Sequence, residues 1–371
     1  MAGFASGINW GTAPNAATFT SDIGSATRLA TSGSFTKFLT EQIVENSAMI
    51  QAGLIVTHPF FNNVTGVLTE VPFFNQLDYI EENVQSSNDW GTAGLGRYNT
   101  QKHTASTQYA PIITRGAAFA ADMLSQYQVG EDTLGNVAQQ LSRKINKDIT
   151  AKVIAQLTGL FGSALSMNSI NVAAAAGETA GPENYISANA VTKAKYLLGE
   201  NAADMKVLVV HPDVASDLEL TGMLTFQNDS GTVNYASNGV GITDTLVKYF
   251  AGLRVVVDSQ VPKVGPSGGT PGTDDLGYVC YIAQGGVIKT GSQFPMMIKQ
   301  NEDILSLQDV MSVTYNRCDH VLGTSYGGPM EPANEELAKP ENWTLAFGSP
   351  ENVPIVELIV NASAGRKVPA N

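Results

Sequence analysis

The side chains with chemistry to offer are few and scattered. Four histidines stand at His58, His103, His211 and His320, and no two share a spacing that would hold a metal. His211 precedes Pro212 at the end of an apolar run, where an α/β enzyme could place a base. A turn histidine that serves the backbone is the commoner occupant of such a position. Cys318, Asp319 and His320 are consecutive, but neighbours in a strand point to opposite faces, so the run does not build a triad. The stretch from Gly265 to Gly269 matches GxSxG around Ser267. A nucleophile elbow needs a strand before the serine and a helix after it. Here glycine and proline surround the serine, and the match reads as chance. Gly91, Gly94 and Gly96 lack the order and context of a phosphate loop. Glu81 and Glu82 are adjacent, whereas catalytic carboxylates face each other from different elements across a cleft. They read as contact or solubilising charges. These residues imply no catalytic group, metal or cofactor, and the expectation is a protein that is not an enzyme.

The elements around these residues look built for partners. Residues 1–56 begin with an Ala/Gly/Ser/Thr-rich stretch that cannot bury a core alone. Phe35, Phe38, Leu39 and Ile43 then share one helical face. In 57–116 a strand around Gly66–Phe74 and a Thr-rich strand returning toward Arg115 flank a long polar connection. The Pro72 ring places the first strand at an edge. A two-stranded projection of this kind is marginal by itself and gains support across a neighbour. The clearest element is a helix over about 131–161. Leu134, Val137, Leu141, Ile145, Ile149, Val153 and Leu157 hold one apolar face, and Gly159 and Gly162 mark its end. An α/β region follows over 185–275, with Ser187 as a helix cap and strands at 206–210 and 253–258. Strands return over 276–326. Residues 327–371 read as a C-terminal arm carrying one apolar run from Pro354 to Val360.

Composition narrows the class. The chain has 371 residues, with 43% hydrophobic and only 15% charged. That charge content is low for a large free surface. Either other subunits cover much of it, or the chain is a Gly/Thr-rich β protein with long loops. The net charge of −13 argues against a nucleic-acid reader. The densest basic run, Arg143, Lys144 and Lys147, is followed at once by Asp148. It reads as a solvated helix face. Cys280 and Cys318 show no disulfide or zinc pattern and are expected as reduced thiols. The N-terminus has no signal-peptide character, and no run nears the roughly 18 apolar residues of a membrane span.

This order of elements resembles the phage shell-protein fold typified by the HK97 head. Several stretches have the same texture: Thr114 to Phe119, His211 to Glu219, Tyr281 to Val287, and Asn301 to Arg317. The resemblance implies an α+β fold. It has an N-terminal arm (1–56), an extended-loop hairpin (57–116) and a peripheral domain (117–184 and 276–326) with a long spine helix. An axial α/β domain (185–275) and a C-terminal arm (327–371) complete it. It further implies a major capsid protein whose hexamers and pentamers close into an icosahedral head around double-stranded DNA, without sequence-specific binding. The protein would sit in the virion after assembly in a bacterial cytoplasm. The short arm leaves no room for a built-in scaffold, so a separate scaffolding protein is expected, with portal and decoration proteins as further partners and no membrane. Acidic residues Glu81, Glu82 and Asp89 would meet basic ones such as Arg97, Lys102, Arg115 or Lys144 on the next subunit. Two other readings stay open. One is a nanocompartment shell of the same fold. The other is an α/β enzyme with no recognisable motif.

Overall fold

The computed structural model describes residues 48–62, 66–74, 105–122, 133–174, 180–220, 224–228, 246–264, 277–294, 296–303 and 308–362. The chain enters through a short helix α1 (Ala48–Gln51), then β1 (Ile55–Thr57), β2 (Leu68–Phe74) and the long β3 (Ala105–Asp122). Helix α2 (Thr133–Phe161) follows and is about 43 Å long at 1.5 Å per residue. Next come β4 (Ser169–Asn171), α3 (Ala188–Tyr196), β5 (Met205–Val210), α4 (Pro212–Leu220), β6 (Thr225–Asn228), β7 (Leu246–Phe250), β8 (Leu253–Val257) and β9 (Lys263–Val264). The last third is mostly strand: β10 (Gly277–Gln284), β11 (Ile288–Gly291), β12 (Met297–Asp303), β13 (Gln308–Val321) and β14 (Thr324–Tyr326). A one-turn helix α5 (Asn334–Leu337), β15 (Trp343–Leu345) and β16 (Ile355–Asn361) complete it.

Two sheets carry the structure. The first has the order β1-β11-β13-β3-β2, with β12 also paired to β13. The second runs β4-β16-β10-β5-β8-β7-β6, with β9 against β10. Strands β14 and β15 form a small ribbon. Pro72 lies in β2, at the edge of the first sheet, where a missing N–H costs least.

Helix α2 is the strut common to both sheets. Its first half presents Leu141, Ile145 and Ile149 to Met311 and Val313 of β13, with Phe119 of β3 alongside. Its second half presents Val153, Leu157, Leu160 and Phe161 to Val209, Val279, Tyr281 and Ile355 of the second sheet. Each such side chain removed from water stabilises the fold by about 1.5–3 kcal/mol. The other face of the second sheet is covered by α3 and α4 through Val191, Ala194, Val214 and Leu218. The Ser187 hydroxyl accepts from the Ala190 N–H and caps α3. Covered on both sides, β10 is buried along nearly its whole length.

Three segments lie elsewhere than the sequence order suggests. Strand β16, expected in a C-terminal arm, sits between β4 and β10 inside the second sheet. Strand β10, expected with the peripheral return, pairs with β5, expected in a separate axial domain. Both are nearly continuous apolar runs, which are stable only when both faces are covered. An arm could not cover them. At the N-terminal side Met49, Leu54 and Ile55, within the expected arm, are buried in the main core. The boundary at 116 falls inside β3, which runs unbroken from its pairing with β2 into its pairing with β13.

Candidate assembly interface

Of the residues singled out for contact, Glu81, Glu82, Asp89, Arg97 and Lys102 lie outside the described residues. The structure covers Arg115 and Lys144. Arg115 faces Tyr315 across the β3–β13 ladder, and its guanidinium pairs with Asp148 of α2. It also donates to the Asn334 side-chain oxygen at 2.6 Å. The Tyr315 hydroxyl donates to the second oxygen of Asp148. Burial of Tyr315 and the nearby Asp148 charge push its phenol above the ordinary range. Arg115 thus ties β3, α2 and the start of α5 together within its own chain. Lys144 is exposed on α2.

A second ionic network, invisible as such in the sequence, lies where α2 crosses β13. Lys152 Nζ is 3.2 Å from Asp319 Oδ2, with the two side chains 3% and 0% exposed. Nζ also donates to the Arg317 carbonyl at 2.8 Å. Gln156 Nε2 donates to the Asp319 carbonyl at 3.0 Å, and Arg317 Nε to Asp319 Oδ1 at 2.7 Å. Burial by itself raises the Asp319 carboxyl, but Arg317 and Lys152 override it and hold the group at about 2. Burial lowers Lys152, against the pull of Asp319. This network has the features of a structural clamp. Its charges are spent on each other, and Cys318, next in the chain, has its thiol pushed up to about 12 by burial.

The candidate chemistry disperses likewise. His211 Nδ1 accepts from the Asp213 N–H at 3.2 Å at the start of α4, a structural turn histidine. His58 Nδ1 accepts from the Phe60 N–H at 3.3 Å. His320 is fully buried beside Phe61, on the strand face opposite Asp319. Cys280 and Cys318 are free thiols. Ser267 and Gly91, Gly94 and Gly96 lie outside the described residues. Among the described residues no three His, Cys, Asp or Glu side chains cluster to hold a metal. No described helix is long and apolar enough to cross a membrane. Instead, large apolar side chains stand in solvent at dispersed points: Phe74, at the outer end of the β2–β3 ladder, is 72% exposed and Leu220 is 82% exposed. Met167 and Met330 are similarly bare.

Comparison with known proteins decides the family. The family described as phage capsid protein matches residues 113–317, more than half of the chain. This chain belongs to the phage capsid protein family. The match runs from inside β3 through α2 and the second sheet to β13. Solved structures agree on the fold. The capsid of Ralstonia phage GP4 superposes with a TM-score of 0.55 at 9% identity, covering 85% of this chain and 88% of that one. A structure from Mycobacterium phage Bobi gives 0.50 at 11% identity, covering 84% and 90%. The capsid of Cyanophage P-SCSP1u gives 0.50 at 11%, covering 83% and 86%. No curated protein matches the chain. Capsid membership accounts for the empty catalytic search: the protein is structural.

Proposed function

We propose that this chain is the major shell protein of a tailed bacteriophage, with an HK97-like architecture. Copies associate as hexamers and pentamers and close into an icosahedral head around double-stranded DNA. The observation that carries the reading is the family match over residues 113–317, which takes in β3, the strut helix and strands of both sheets. The fold is consistent with it. Helix α2 packs on both sheets and joins them through one set of core side chains. In this reading the N-terminal arm lies within residues 1–56 and the extended-loop hairpin within 57–116. The first sheet with the front of α2 is the peripheral domain. The second sheet with α3 and α4 is the axial domain, to which β16 returns. Glu81, Glu82 and Asp89 of one copy meet basic residues such as Arg97 and Lys102 of the next, since Arg115 is already engaged by Asp148. A separate scaffolding protein, a portal and decoration proteins are the further partners, and the virion is the destination.

The test is negative-stain microscopy of the protein expressed alone, with sedimentation alongside. Closed shells or ring-shaped capsomers are expected. Shells that enclose a cargo enzyme would favour a nanocompartment. A monomer that persists at high concentration with crowding agents and with a co-expressed scaffold would overturn the reading.

A further inference from the structure

Helix α2 is positively charged in an acidic protein. Within Thr133–Phe161 the basic residues are Arg143, Lys144, Lys147 and Lys152, and Asp148 is the only acid. No other five-residue stretch of the chain holds three basic residues. Sequence order makes Asp148 look like the neutralising partner of the run. The structure turns it the other way. Its carboxylate is taken by Arg115 and Tyr315 on the sheet side of the helix. Lys152 likewise points inward, to Asp319. What remains outside is Arg143, Lys144 and Lys147, all exposed. At about 100° per residue they fall on one side of the helix. Among the described residues no acidic side chain forms an ion pair with any of the three. Asp258 feels the charge of Lys147 from the end of β8.

The opposite side of this helix-on-sheet layer has another character. There β3 presents Thr114, Gly116, Ala118 and Ala120 to solvent, beside Ser312 and Thr314 of β13. The edge strand β12 adds Lys299, paired with Ser312 across the ladder. One surface of the layer is therefore a cationic ridge, and the other presents mainly small uncharged side chains from the middle of β3 and β13. A container for a polyanion, one subunit thick, has one surface toward its contents. The ridge is the surface on which phosphates release counterions favourably, while the rest of a chain with net charge −13 repels them. Arg and Lys side chains along one exposed helix face suit backbone phosphates, contacts that position a duplex and carry no sequence information.

We propose that Arg143, Lys144 and Lys147 form the face of the subunit that meets the packaged double-stranded DNA, holding its phosphates without sequence preference. This rests on the shell reading above and adds which side of the layer faces inward. A neighbouring copy's acidic segment is the competing occupant of the ridge.

The full-length protein would be titrated with a labelled duplex of about 30 base pairs between about 10 and 150 mM salt, by fluorescence anisotropy. Binding by the wild type should weaken with salt, with a log–log slope of up to about −2.7 for each copy engaged. The triple variant R143Q/K144Q/K147Q should lose the binding at all salts, and K299Q, on the opposite surface, should keep it. Wild-type affinity and slope in the triple variant would overturn the proposal. So would a wild type that binds polyglutamate and ignores the duplex, which points to an acidic protein segment. Microscopy of the same preparations reads the other question. Shells from both proteins leave the shell reading in place, so the titration then speaks of the DNA face alone.

Discussion

Lys152 of α2 and Asp319 of β13 meet 3.2 Å apart inside the protein, at the point where the strut helix passes from one sheet to the other. The pair fixes where along its length the helix lies on the strand.

Removing one side of that clamp should be costly. Asp319→Ala leaves Lys152 and Arg317 facing no anion, and a loss of about 3–5 kcal/mol is expected. Lys152→Met should cost less, because Arg317 still holds the carboxylate at 2.7 Å. Urea unfolding of the unassembled protein measures both. Equal losses for the two variants would show that Arg317 does not share the load.

Acid should act first through His320. Burial lowers its pKa from the ordinary 6.5 to about 3, so the folded protein keeps it neutral. The stability this represents is complete above 6.5 and drains away as pH falls from 6.5 toward 3. Asp319 follows lower down, losing its contribution between its ordinary 3.8 and about 2. His320→Leu should flatten the decline of unfolding midpoint between pH 6.5 and 3 and leave the lower limb in place. Parallel curves for wild type and variant would refute the assignment.

Gly159 should respond against the usual helix rule. Glycine to alanine inside a helix ordinarily stabilises by about 1 kcal/mol. Here a Cβ would strike the Leu337 carbonyl and come within 2.7 Å of the Trp343 ring. That carbonyl accepts the Trp343 indole N–H at 2.7 Å. Gly159→Ala should therefore destabilise by about 1–3 kcal/mol. Thermal unfolding measures it, and a rise in midpoint would contradict the packing.

Glu81 and Glu82 give a test of assembly. Reversing Glu81 and Glu82 to Lys should lower shell yield and shell stability while the monomer keeps its unfolding midpoint. Unchanged yield would remove these residues from the contact.

The strut helix was legible because a 3.6-residue apolar rhythm over 29 residues admits one structure. Ser187 as a cap and Pro72 at an edge were legible for similarly local reasons. The sheet neighbours were not. Continuous apolar runs such as β10 and β16 announce burial, but nothing in their spacing names the strand beside them. Their sequence separation hid that they pair with each other. The ionic clamp was hidden for the same reason. Spacing alone places Lys152 off the apolar stripe of its helix and shows Asp319 only as one member of a Cys-Asp-His run.

By itself the sequence determined the class of protein. Local periodicity, caps and turns depend on neighbours a few residues apart, and the order of such elements carried the capsid resemblance that the family match then established. Tertiary structure alone decided where the charges go. Arg143, Lys144, Lys147 and Asp148 lie close enough in sequence for Asp148 to be read as offsetting one of the three cations. Only the packing of α2 on the sheet, which brings Arg115 and Tyr315 to Asp148, separates them into an inner pair and an outer ridge. The direction of a side chain is set by what lies across from it, and that partner is usually far away in the chain.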